Sequence, residues 1–166
     1  MIDLVHIHPM LVHFPIVLFL IAIAVQLLTL VRGGDLSERA CLQSIGSVAL
    51  ILGALAALAA ALFGDIALDR AVKLGFPQGP LETHQVLGLI TTGLLVALAA
   101  VQGLAWWRKI SLQAARGWAL ALVGVVGCVI LLLTAYHGGN LVYKIGVNVD
   151  AVKPIGQAAP QPPVKP

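Results

Sequence analysis

The sequence predicts an all-α integral membrane protein, a four-transmembrane-helix up-and-down bundle with both termini on the same side. Two observations carry this. Hydrophobic residues make up 60% of the chain and charged residues 10%, against about 45–50% and about 25% in soluble domains; mean hydropathy is +0.99. Four apolar runs, 10–31, 41–63, 85–107 and 117–136, each contain about 20 residues without Lys, Arg, Asp or Glu, the length that crosses a hydrocarbon core of roughly 30 Å. Backbone groups in lipid have to be satisfied within their own segment, so these runs are helices. The connections at 32–40 and 108–116 are short, which makes neighbouring helices antiparallel.

At 166 residues the chain fits one bundle. Residues 1–150 form the membrane domain, and 151–166 form a proline-rich tail predicted to be disordered. A net charge of +3, spread along the chain, gives no support to nucleic-acid binding. Met1-Ile2-Asp3 lacks a basic leader region and no small-residue cleavage site follows the first run, so that run is predicted to be retained as an anchor. Cys41 and Cys128 fall at different depths and are predicted to be unpaired structural thiols. No CxxCH is present, which excludes covalent c-type haem.

Taken in order, the first helix is predicted to start near Pro9 with a local distortion at Pro15, placing His13 about one turn inside. The second carries Gly46, Ala49, Gly53, Ala57 and Ala61, a stripe of small residues that lets backbones approach closely. It continues through Asp65 to Arg70 as a polar helical extension and breaks at Gly75–Pro80. Pro80 opens the third helix, with Glu82 near its positive end and His84 about one turn in. The fourth is predicted to end at Tyr136-His137-Gly138-Gly139, capped by the glycines. The following 141–147 segment lies against the bundle mouth.

Basic residues set the orientation. Arg32, Arg39, Arg108, Lys109 and Arg116 are dense in the first and third loops, which are therefore predicted to be cytoplasmic. Arg70, Lys73, Lys144, Lys153 and Lys165 are spread thinly on the other side, with the termini. Trp106 and Trp107 fit an aromatic belt at the inner face.

This topology places all five histidines at one end. His6 and His8 precede the first helix, His13 lies one turn inside it, His84 is near the start of the third, and His137 is at the end of the fourth. Asp65 of the second helix falls at a similar level. Polar groups at membrane depth are costly and usually face the bundle interior. Two facing helices that each offer an imidazole suit a bis-histidine b-type haem. Gly88 and Gly138-Gly139 leave room for a flat macrocycle, Arg70, Lys73 and Lys144 are placed for its propionates, and Tyr136 and Tyr143 for hydrogen bonds. Three imidazoles with Asp65 or Glu82 would instead suit zinc or copper, with Met10 as a soft ligand. A purely structural role for the histidines is the third possibility. No catalytic triad, phosphate loop or dinucleotide motif is present, and no ionisable residue lies mid-span as transport would require.

His8-Pro9-Met10-Leu11-Val12-His13-Phe14-Pro15, Gly64-Asp65, His84 and His137-Gly138-Gly139-x-Leu141-Val142-Tyr143 resemble a family of bacterial four-helix inner-membrane proteins catalogued as domain of unknown function 2231. The resemblance runs to about Val149. It departs at Asn140, where members carry an acidic residue, and at Asn148 in the closing Gly-Val-Gly-Val. It implies a multi-pass bacterial inner-membrane protein with His8, His13, His84 and His137 as motif positions.

The expectation is a membrane b-type haem protein passing electrons near the periplasmic face. Its partners would be a quinol and a periplasmic redox protein, or a larger membrane complex. His13 and His84 are the first choice of axial pair, with His8 and His137 as further ligands. The alternatives are a copper or zinc site built from His8, His13, His84, His137 and Asp65, and a non-catalytic accessory subunit.

Overall fold

The computed structural model describes residues 4–149, and within them every regular element is helical. A 3-10 turn at Leu4–His6 leads into α1 (Ile7–Leu11), followed by α2 (His13–Val31), α3 (Cys41–Lys73), α4 (Gln78–Arg108) and α5 (Ala114–Tyr143). Four helical spans are long and apolar enough to cross a membrane: Leu4–Val31, Cys41–Lys73, Gln78–Arg108 and Ala114–Ile145. Each of α2 to α5 packs on its neighbour in sequence, and α5 returns to α2, so the four close into a ring. His8 on Ala60 and Asn148 on Ala67 place both described ends of the chain beside the C-terminal half of α3. The proline-rich segment 151–166 lies outside the described residues.

The first span begins earlier than Pro9 and its irregularity falls at Val12 rather than at Pro15. Pro15 has no N–H, so the Leu11 carbonyl four residues back loses its partner, and the proline ring crowds it. The ladder is therefore interrupted between α1 and α2, while Val12 N–H still donates to His8 O at 3.1 Å and Ile16 N–H to Val12 O at 3.4 Å. At 33 residues α3 is about 50 Å long, against a hydrocarbon core of roughly 30 Å. Its last turns carry the exposed Asp65 and Asp69 outside the apolar run.

The fourth span departs most from expectation. It does not end at Gly138-Gly139 but runs on to Tyr143, with both glycines inside the helix. The chain then turns so that Val147 joins Ala71, Phe76, Leu81 and Leu141 in an apolar cluster over this end of the bundle. Mid-bundle, Phe19, Ile23, Leu50, Leu95 and Leu131 form the largest core. At the opposite end Leu30, Leu36, Ala105, Leu112 and Ala121 form a third cluster.

That third cluster is fastened by the two short loops. Asp35 Oδ1 accepts from Ser37 N–H at 2.9 Å, Ser37 Oγ–H at 2.7 Å and Leu112 N–H at 2.8 Å, and Leu36 N–H donates to Leu112 O at 3.2 Å. Burial pushes the Asp35 carboxyl upward. Hydrogen bonds from Ser111, Ser37 and Leu112 outweigh it and hold the group at about 2, below its ordinary 3.8. Beside the clamp, Arg39 lies over the Trp106 ring, 5.4 Å from its centroid. Both cysteines are free, as predicted.

Candidate histidine site

His8 and His84 meet at the end of the bundle where the described termini lie. Their ring centroids are 6.3 Å apart and the planes cross at 81°. Each is held by a backbone carbonyl of a facing helix: His8 Nδ1 lies 2.7 Å from Ala60 O on α3, and His84 Nδ1 lies 3.1 Å from Thr134 O on α5. A carbonyl can only accept, so Nδ1 carries the proton in each ring. In the neutral form each Nε2 then keeps a free lone pair.

Two glycines make space for the rings. A Cβ at Gly64 would lie 3.1 Å from His8 Nδ1 and Cε1, and one at Gly138 only 2.8 Å from His84 Cε1. Helix interiors disfavour glycine by about 1 kcal/mol relative to alanine. Gly138 therefore serves as a seat for an imidazole rather than as the cap the sequence suggests. Below the pair, Thr91 Oγ1 and Thr134 Oγ1 are 3.0 Å apart, and each also bonds the carbonyl one turn back, on Leu87 and Ile130. Gln85 Nε2 donates to Asp65 Oδ1 at 3.3 Å, joining α3 to α4.

The other candidates are placed differently. His13 is exposed on α2, and its side chain makes no hydrogen bond or ring contact among the described residues. The ring contact of His84 is therefore with His8, not with His13. The cause is helical phase: five residues turn a helix by about 500°, which leaves His13 about 140° round from His8. His137 is half-buried with its ring edge-on to Tyr136, centroids 5.7 Å apart. It lines a cleft of about 350 Å³ with Pro80, Thr83, Asn140 and Lys144. Asp65, Glu82 and Lys144 are exposed and Arg70 is half-buried. Met10 is 61% exposed and Tyr143 90%, so neither points into the bundle. Among the described residues no group of three or more His, Cys, Asp or Glu is placed to hold one metal ion. What the fold assembles is a pair.

The uncharged polar residues are absent from the sequence candidates. Thr91 and Thr134 adjoin the pair, and Gln26, Ser47 and Gln102 are buried together further along the bundle. Spacing could have shown it. His84, Thr91 and Gln102 lie two and five helical turns apart, so they share one face of α4.

A family model, DUF2231, described as a predicted membrane protein, matches residues 5–151. No curated protein and no solved structure matches the chain.

Proposed function

The chain belongs to the DUF2231 family of predicted membrane proteins, whose function is unknown, and from its histidine pair we propose that it is a membrane-embedded b-type haem protein in which His8 and His84 would hold the haem. The observation that supports this is the tethering of both rings. Ligating histidines typically give their other ring N–H to a carbonyl or carboxylate, which fixes the tautomer and aims the free nitrogen. Both rings meet that condition through Ala60 O and Thr134 O. The two rings are also close enough for one bound group to meet both, with centroids 6.3 Å apart.

Ligand number favours haem over a bare ion. Zinc sites take three or four protein ligands, and His8 and His84 supply two. A haem brings four nitrogens of its own and needs only an axial pair. A bound haem would supply a one-electron couple. The chain's part would be to hold the two imidazoles in register, keep water away with the Leu81 and Leu141 cluster over this end, and offer Lys144, in the cleft beside His137, to a propionate. Its electron partners at this end would be a membrane quinol and a periplasmic redox protein. The arginine-rich loops support a cytoplasmic placement for the opposite end, and hence periplasmic termini in a bacterial inner membrane.

An absorption spectrum of protein purified from haem-replete cells tests the proposal. A Soret band that shifts on reduction and is lost in His84→Ala is expected. Haem-free protein under those conditions, with His84→Ala altering stability alone, would instead favour a structural role for the pair.

A further inference from the structure

Where the mid-bundle core meets the loop-end cluster, far from the histidines, four polar side chains are almost wholly buried. Gln26, Thr29 and Ser47 are each 1% exposed and Gln102 is 2% exposed. Gln26, Ser47 and Gln102 lie roughly 7–9 Å inside the loop end of their helices, counted along the helix axes, and Thr29 about 3 Å. Gln26 Nε2 donates to Gln102 Oε1 at 2.5 Å, and Gln102 Nε2 donates to Ser47 Oγ at 3.1 Å. This links α2, α4 and α3. The series ends on two atoms with no partner in the protein, Gln26 Oε1 and Thr29 Oγ1.

Thr29 is unlike three other helical threonines of this chain. Thr83, Thr91 and Thr134 turn their hydroxyls back onto the carbonyl four residues earlier, at 2.8–2.9 Å. Thr29 does not. Its methyl is set against Gly34, where an added Cβ would lie 2.9 Å from Cγ2. Nor does the orphan on Gln26 depend on which way the amides are turned. Reversing both keeps the bonds to Gln102 and Ser47 and leaves Gln26 Nε2 in the same place, again unpaired.

Residues three apart on a helix are neighbours, about 5–6 Å between Cβ atoms, a gap that one water bridges. Buried polar groups in proteins are paired, and an ordered water with two to four partners is a common way to pair them. We infer that a water molecule is bound between Gln26 and Thr29, trapped between the two apolar clusters, and completes a chain from Ser47 through Gln102 and Gln26 to Thr29. The site takes water, with the amide and the hydroxyl as its partners.

Two measurements test it on the full chain in detergent. A nuclear Overhauser cross-peak between the Gln26 side-chain amide and a long-lived water is expected in the wild type and in Thr29→Ser, and is lost in Thr29→Val. Thr29→Val keeps the side-chain shape but removes the water's anchor, and is expected to shift the folding equilibrium about fivefold toward the unfolded state. A wild-type amide with no cross-peak overturns the inference. So does a Thr29→Val variant as stable as the wild type or more so, because removing an unhydrated buried hydroxyl relieves a penalty.

Discussion

An alanine methyl at Gly138 would press on His84 Cε1 from 2.8 Å, whereas at Gly93, also inside a helix, it would meet nothing within 4 Å. The same exchange should therefore have opposite signs at the two places. Gly93→Ala is expected to stabilise the protein by roughly 0.5–1 kcal/mol through helix propensity. Gly138→Ala is expected to lose that gain and cost about 1 kcal/mol, because His84 has to leave Thr134 O. Unfolding in a denaturing detergent titration measures both. At this scale the site was half legible in the sequence. His84 and its depth could be read directly. That His8 rather than His13 faces it depends on helical phase across Pro9 and Pro15, and that Gly138 seats a ring depends on a partner from another helix, fifty-odd residues away in the chain.

Helices α2 to α5 were legible because hydropathy alone specifies them. Their ends were not. The glycines at 138 and 139 resemble a cap until His84 of α4 is known to press on Gly138, and Pro15 shows its effect one turn earlier, at the Leu11 carbonyl it leaves unpaired. The loop clamp was equally hidden, since nothing local to Asp35 points to Leu112, 77 residues on. It has a pH signature. The folded carboxyl titrates at about 2 against an ordinary 3.8, so its contribution is complete above about pH 4 and is lost as pH falls toward 2. The carboxylate is partly open to solvent, which limits the loss to about 1 kcal/mol. Thermal unfolding at pH 6 and pH 2.5 should show this loss in the wild type and not in Asp35→Asn, which is already weakened at pH 6.

The whole molecule has two unlike ends. One is clamped, arginine-rich and fringed by Trp106 and Trp107; the other holds the histidine pair and both described ends of the chain. Cys41, exposed at the clamped end, reports on orientation, while Cys128 lies inside a span. If the clamped end is cytoplasmic, a membrane-impermeant thiol reagent should label Cys41 in inverted vesicles and not in intact spheroplasts. The opposite pattern would reverse the assignment. The central claim is that this fold brings together two imidazoles to ligate one haem, and a comparison of absorption spectra for His8→Ala, His84→Ala and His13→Ala tests it most directly. The pairing of His8 with His84 predicts that the first two variants lose the bis-imidazole Soret band while His13→Ala keeps it. Loss in His13→Ala with retention in His8→Ala, or no Soret band in the wild type, would contradict it.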